Sequence, residues 1–207
     1  MGCYASFSAF IAVIGYGVVQ VLQLTGTLVK PLDDILIYSF SLAIAPSFLM
    51  SILALHYSVP GEQKFWTHSA LLFALLYAVY AVLMYTVQLA TVIPLWRHDP
   101  TDNILTVKPN SFFWTLDALA YICMGLSTAF ASFAFNTGGR ERWLKRFLIA
   151  NGIMVPVIGF VYFYPHFSIM LLMLASPWLI TAAGSLLSLA LYFRRTSNSS
   201  LNVVGDF

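Results

Sequence analysis

The chain has 207 residues, of which 60% are hydrophobic and only 9% are charged, with a formal net charge of +2. A soluble domain carries about 25% charged residues, and a soluble fold with so few charges would expose apolar patches over most of its surface. The composition therefore excludes an ordinary soluble domain, and the small net charge gives no reason to expect a nucleic-acid partner. We predict an all-α integral membrane protein.

Six apolar segments follow one another along the chain. A helix needs about 20 mostly apolar residues to cross a bilayer. The fifth segment is the shortest and holds Asn151 and Pro156, which membrane helices tolerate where neighbouring groups satisfy the freed backbone positions. We therefore expect a bundle of six transmembrane helices, at 4–28, 35–57, 69–94, 111–135, 147–164 and 169–193.

The connections between these segments are short, and the longest runs over 94–110. No linker or low-complexity stretch separates two domains. We predict one polytopic membrane domain over 1–195, followed by a short polar cytoplasmic tail over 196–207.

The basic residues predict the orientation of the bundle. If the helices alternate in direction, seven Lys and Arg residues lie on the side of the two termini and three lie on the other side. Positive charge in short loops stays in the cytoplasm. We therefore expect both termini to be cytoplasmic, and we place the protein in the cell (plasma) membrane.

The densest basic cluster is the segment GGRERWLKRF at 138–147. It has two interpretations: an ordinary cytoplasmic anchor with an interfacial Trp143, or a binding site for anionic lipid headgroups. Membrane lipids are the partners that the sequence indicates, and it leaves the oligomeric state open. The candidate headgroup residues are Arg140, Arg142, Trp143, Lys145 and Arg146.

The stretch FFWTLDALAYICMGL at 112–126 contains a single carboxylate, Asp117. Counted from the outer end of its segment, Asp117 lies ~9 Å deep at 1.5 Å per residue. Gln88 lies at a similar depth on the third segment, and glutamines and tyrosines on the first three segments share this layer. The candidate ligand-binding residues are Asp117, Gln88, Tyr121, Tyr85, Gln23, Gln20 and Tyr38.

Polar residues on three segments recur at steps of three and four, which places them on one face of each helix. Lipid tails cannot hydrogen-bond, so we expect these faces to point into the bundle. The three faces are Asp117, Tyr121, Met124, Thr128 and Ser132; Tyr77, Ala81, Met84, Gln88 and Thr91; and Tyr16, Gln20, Gln23 and Thr27.

Three functions remain open for Asp117, because an intramembrane carboxyl is costly and must be neutral, paired or hydrated. The first is an outward-facing polar and aromatic pocket that binds or transports a small amphipathic or cationic molecule, with a proton-linked version. The second is a membrane enzyme on a lipid-like substrate, with Asp117 as general acid or base. The third is a helix-packing or assembly subunit, with Asp117 as a clamp to a neighbour such as Gln88.

We favour a non-enzymatic protein without cofactor or metal, because no catalytic or metal-binding motif of known spacing occurs in the chain. A cluster in the longest connection could hold a metal, although Pro100 makes a solvated turn the better interpretation. That cluster is His98, Asp99, Asp102 and Asn103.

Overall fold

The computed structural model describes residues 1–96, 104–136, 138–139 and 141–204, with Trp96 and 198–204 described by their backbone only. Throughout these ranges the regular secondary structure is helical. The helices are α1 Gly2–Leu24, α2 Leu32–Ser58, α3 Lys64–Val87, α4 Ile93–Trp96, α5 Phe112–Ser132, α6 Arg142–Phe163, α7 Ile169–Met173 and α8 Pro177–Val204.

Six helical stretches are long and apolar enough to cross a membrane, as the six apolar segments predict. The third stretch, Gly61–Leu95, joins a short 3₁₀ turn, α3, a π-helical turn at Gln88–Val92 and most of α4. The sixth, Ile169–Ser197, is broken into α7 and α8. Pro177 begins α8, where its missing N–H costs no helical hydrogen bond.

Helix ends differ from the predicted segment ends because composition marks the apolar part of a helix and not its hydrogen-bonded length. α2 begins at Leu32 and therefore includes Asp33 and Asp34 in its first turn, where acidic side chains favour the helix dipole. Likewise α6 begins at Arg142 within the basic cluster, and α8 continues to Val204 through most of the predicted polar tail.

The six spans form a closed ring in chain order. α1 packs on α2, α2 on α3, α3 on α5, α5 on α6, α6 on α8, and α8 returns to α1. α5 is the most enclosed, since 61% of its most apolar stretch is buried against 28–39% in the other spans. A side chain on α5 can therefore reach several neighbouring helices at once.

We name the two ends of the bundle by the segments that lie there. The distal end holds the connections at 25–31, 104–111 and 164–168, and the proximal end holds the N terminus and the connections at 59–63 and 133–141.

The outward surface of the bundle is covered by large apolar side chains. Examples are Ile14 and Val18 on α1, Leu76 on α3 and Ile153 on α6, which are between 43% and 62% exposed. Such a surface would be unfavourable in water and is compatible with lipid. Together with the six long apolar helices, it gives the protein the architecture of a multi-pass membrane protein.

The predicted inward face of α5 is confirmed, because all five of its residues are buried. On the third stretch, which continues through the π-helical turn, four of the five are buried and Thr91 is half-buried. The face predicted for α1 is less accurate: Tyr16, Gln20 and Gln23 are half-buried, and Thr27 is exposed beyond the end of the helix. α1 instead turns small residues such as Ala9 and Gly17 toward its neighbours, which allows close helix approach.

Candidate functional site

Asp117 lies on α5 between two tyrosines from neighbouring helices. The Tyr85 hydroxyl on α3 donates to Asp117 Oδ1 at 2.9 Å, and the Tyr162 hydroxyl on α6 donates to Oδ2 at 2.7 Å. The side chain is 8% exposed. Both oxygens of this buried carboxyl therefore have hydrogen-bond partners, which reduces the cost of placing it inside an apolar bundle.

Tyr85 is among the predicted ligand-binding residues, whereas Tyr162 is not. Tyr162 lies in the shortest apolar segment, near the distal end of α6. It is closer to that end than the residues whose depths were compared with that of Asp117. The length of a tyrosine side chain carries its hydroxyl to Asp117. A depth comparison that included the reach of side chains on the fifth segment would have pointed to it.

Gln88 and Gln23, the two glutamines predicted to lie at about the depth of Asp117, have hydrogen-bond partners other than Asp117. Gln88 Nε2 donates to the Leu105 carbonyl at 2.7 Å, and Gln23 Nε2 donates to Asp33 Oδ2 at 2.8 Å. The predicted bond between Gln88 and Asp117 is therefore wrong. The connection at 104–111 lies over the distal end and presents a backbone acceptor, which a comparison of helix depths does not consider.

Asp33 is a second buried carboxyl, 4% exposed, at the distal start of α2. Asp33 lies outside the predicted second segment, which begins at residue 35. Asp33 Oδ1 has no hydrogen-bond partner in the part of the chain that the structure describes. Its neighbour Asp34 forms an ion pair with Lys30 at 3.5 Å.

Tyr162 is held in place on more than one side. Its ring stacks on Trp114 with centroids 4.4 Å apart, and Trp114 Nε1 donates to the Tyr162 carbonyl at 3.0 Å. On α3, the Tyr85 ring lies 5.9 Å from that of Tyr38. The two donors to Asp117 are thus fixed by ring contacts as well as by their own hydrogen bonds, and the site is preorganised.

A cavity of about 230 Å³ opens beside these tyrosines at the distal end, between α1, α5, α6 and the α7–α8 junction. Its polar and aromatic lining is Tyr16, Gln20, Tyr121, Tyr162 and Trp178, and the remaining lining is mainly apolar. Asp117 lies behind Tyr162, outside the lining. A cavity of ~150 Å³ can hold benzene, and drug-sized sites begin near ~300 Å³, so the volume suits a small one-ring molecule.

Trp178 forms one wall of this distal cavity and is 6% exposed. Its ring meets Tyr121 edge-on with centroids 4.7 Å apart and Tyr16 at 6.0 Å. Its indole Nε1 lacks a hydrogen-bond partner among the residues that the structure describes. A buried indole N–H usually has an acceptor, so Trp178 Nε1 is an unsatisfied donor at this wall of the cavity.

Of the seven predicted ligand-binding residues, Tyr121 and Gln20 line the distal cavity, while Asp117 and Tyr85 form the hydrogen-bonded pair behind it. Tyr38 joins them through its ring contact with Tyr85. Gln23 and Gln88 lie outside this cluster. Trp178 and Tyr162, which the sequence analysis did not include, complete the aromatic walls.

Nearer the middle of the bundle, Asn151 on α6 connects three helices. Its Nδ2 donates to Thr128 Oγ1 on α5 at 3.0 Å, and Thr181 Oγ1 on α8 donates to its Oδ1 at 3.0 Å. Asn151 is fully buried. This arrangement is a structural clamp, in which each polar atom has a partner inside the apolar bundle.

The basic cluster is less uniform than its sequence suggests. Lys145 Nζ donates to the Phe135 carbonyl at 2.7 Å, so it ties α6 to the connection that follows α5. The Arg146 guanidinium lies 5.3 Å from the centre of the Trp143 ring. Arg140 lies outside the described residues. Of the predicted headgroup residues, Lys145 thus has a structural partner within the chain.

Within the described ranges, no group of three or more His, Cys, Asp or Glu side chains could hold a metal ion. The candidate metal cluster at His98, Asp99, Asp102 and Asn103 lies outside those ranges.

No family model matches the chain, and no curated protein and no solved structure is detectably similar to it.

Proposed function

We propose that this multi-pass protein binds a small amphipathic cation in the distal cavity. The cation would lie next to the Tyr162 ring, whose hydroxyl is hydrogen-bonded to Asp117. The observation that carries the proposal is the convergence of four aromatic rings on a cavity whose wall residue Tyr162 is hydrogen-bonded to a buried carboxyl. Transport of the same molecule, with proton coupling at Asp117, extends this proposal.

The chemistry of the lining supports a cation. Aromatic faces attract cations through the ring quadrupole, more strongly where water is excluded. The carboxyl behind Tyr162 adds negative potential at short range in a low-dielectric surrounding. The apolar part of the lining, which includes Leu172 and Ile158, suits the hydrophobic portion of an amphipathic ligand.

The test uses benzyltrimethylammonium and its uncharged carbon analogue neopentylbenzene, which have the same shape. In lipid nanodiscs, we expect benzyltrimethylammonium to raise the melting temperature and to bind at least about tenfold more tightly than neopentylbenzene. Asp117→Asn and Trp178→Phe should each weaken cation binding about tenfold, a factor that corresponds to ~1.4 kcal/mol.

The matched control is Tyr57→Phe, because Tyr57 is 75% exposed near the proximal end and its replacement should change nothing. Ala175→Phe, which fills the cavity, should abolish binding. Equal affinity for the two probes would contradict a cation site, and binding that survives Ala175→Phe would place it elsewhere.

A membrane enzyme acting on a lipid-like substrate is the second candidate function. The observation that favours it is the hydrogen bond between Tyr162 and Asp117, because a phenol paired with a carboxyl at a cavity wall is suited to general acid–base chemistry. A change in the mass of nanodisc lipids with the wild-type protein, absent with Asp117→Asn, would support the enzyme. Absence of both probe binding and turnover would leave the helix-packing role.

We further propose that both termini are cytoplasmic, that the distal cavity faces outward, and that the protein resides in the plasma membrane. The seven-to-three division of basic residues supports this orientation. A reporter that is active only in the cytoplasm, fused after Phe207, should be active. Activity of an exported reporter at the same position would reverse the orientation and turn the cavity toward the cytoplasm.

A further inference from the structure

A second groove, of about 530 Å³, lies between α6 and α8 at the proximal end of the bundle. Its charged side chains lie at one end, and the lining farther from that end is mainly apolar, with Ser188 as a polar residue within it. Arg195 and Thr196 lie at the proximal end of the lining, followed along α8 by Leu191 and Leu187, and then by Gly184. The groove is therefore amphipathic along its length.

The length of the groove matches one leaflet of a bilayer. Gly184 and Arg195 are separated by 11 positions along α8, or ~16 Å at 1.5 Å per residue. The hydrocarbon core of a bilayer is ~30 Å thick, so the apolar part reaches from the interface to about the midplane. An acyl chain that enters from the lipid phase would occupy this distance.

The depth of the groove depends on the packing of Phe147 against Gly184. A Cβ atom placed on Gly184 would lie 2.3 Å from the Phe147 ring. The ring therefore packs on bare backbone, and both residues line the groove. Any side chain at position 184 would displace the Phe147 ring and with it one wall of the groove.

The proximal end of the groove favours an anionic partner. Arg195 lies in the lining, and Arg142, Arg146 and Arg194 lie on the same end of the bundle. The acidic side chain among the described lining residues is Glu141. Trp143, which is 64% exposed and carries Arg146 over its ring, forms the other wall. Tryptophan at this level is typical of the headgroup region.

We infer that this groove binds one anionic phospholipid, with its headgroup at Arg195 and one acyl chain along α8 between Phe147 and Leu191. This site is separate from the distal cavity, and the inference does not depend on the proposed function. The sequence places the candidate headgroup site on the 138–147 segment alone. The inferred site is a groove that α6 and α8 form together.

The test compares phosphatidylglycerol with phosphatidylcholine of identical acyl chains, by native mass spectrometry of the purified full-length protein. The wild type should retain phosphatidylglycerol at least about fivefold better. Arg195→Gln should lower that preference about fivefold, the factor expected for one basic residue near an anionic surface. The matched control Arg194→Gln removes the adjacent charge outside the groove and should stay within about twofold of wild type.

A second pair of variants tests the acyl chain. Leu191→Trp fills the groove from a position that is 43% exposed, and should reduce retention of both lipids without loss of thermal stability. Gly184→Ala should act in the same direction through the displaced Phe147.

Four results would overturn the inference. Equal retention of the two lipids would exclude selection of an anionic headgroup. Equal losses of the phosphatidylglycerol preference in Arg194→Gln and Arg195→Gln would indicate only diffuse electrostatic attraction. Full competition by soluble glycerol 3-phosphate would show a phosphate site without an acyl chain. A lipid-free dimer that Leu191→Trp dissociates would assign the groove to a second copy of the chain.

Discussion

Replacement of Asp117 by leucine is expected to lower the free energy of unfolding by about 2–4 kcal/mol. The change removes the acceptor of two interhelical hydrogen bonds, from Tyr85 and Tyr162, each worth ~1–2 kcal/mol in model membrane helices. It also leaves two buried hydroxyls without that partner. The measurement is equilibrium unfolding of the purified protein in mixed micelles.

Asp117→Asn serves as the matched comparison, because the amide keeps the shape of the carboxyl. Its oxygen can accept from one tyrosine and its nitrogen can donate to the hydroxyl oxygen of the other, so we expect a loss below about 1 kcal/mol. Asp33→Leu, which breaks the single bond from Gln23, should fall between the two. If the Asn and Leu variants were equally unstable, hydrogen bonding would not be what holds Asp117 in the bundle.

Stability and binding should then separate at this position. The Asn variant keeps the fold but removes a carboxyl next to Tyr162, so it should retain its melting temperature while losing affinity for benzyltrimethylammonium. A clamp without a ligand would show no such separation.

The second large effect is expected for Gly152→Val at the contact between α5 and α6. A Cβ at Gly152 would lie 2.7 Å from the Ala129 Cβ and 3.2 Å from its Cα. Because a backbone atom cannot rotate away, the two helices must separate. We expect a loss of about 3 kcal/mol, at the upper end of the usual cost of overpacking, measured by the same unfolding assay.

Gly159→Val provides the control on the same helix. A Cβ there meets only the end of the Ile122 side chain, at 4.0 Å, so the substitution should cost less than about 1 kcal/mol. Separation of α5 from α6 would also disturb the hydrogen bond from Asn151 to Thr128. If both glycine variants behaved alike, the close approach at Gly152 would not determine how these helices pack.

The six spans could be predicted from the sequence because a bilayer imposes both a length and an apolar composition on each helix. The same physics does not determine where helices end outside the hydrocarbon. The early start of α2, for example, depends on Asp33 and Asp34 in its first turn. The break between α7 and α8 likewise lies at 174–176, where the backbone hydrogen bonds close three-residue turns, which an apolar run does not reveal.

The inward face of α5 could also be predicted, since helical periodicity alone places Asp117, Tyr121 and Met124 together. The partners of Asp117 could not all be predicted, because they depend on which helices are neighbours. Tyr162 reaches Asp117 because α6 packs on α5. Gln88 donates instead to the Leu105 carbonyl in the connection at 104–111. Both facts are tertiary and leave no periodic signal in one sequence.

The ring of helices has a consequence for biosynthesis. Of the six spans, α1 emerges from the ribosome before the other five, and α8, which packs on α1, belongs to the sixth. Until the sixth span is made, the face of α1 around Gly17, where Leu179 packs, lacks its helical partner. Trp178 arrives with α8 and completes the wall beside Tyr16. A nascent chain halted before the sixth span would therefore lack both the closing contact and the finished cavity, and its uncovered α1 would be open to quality control.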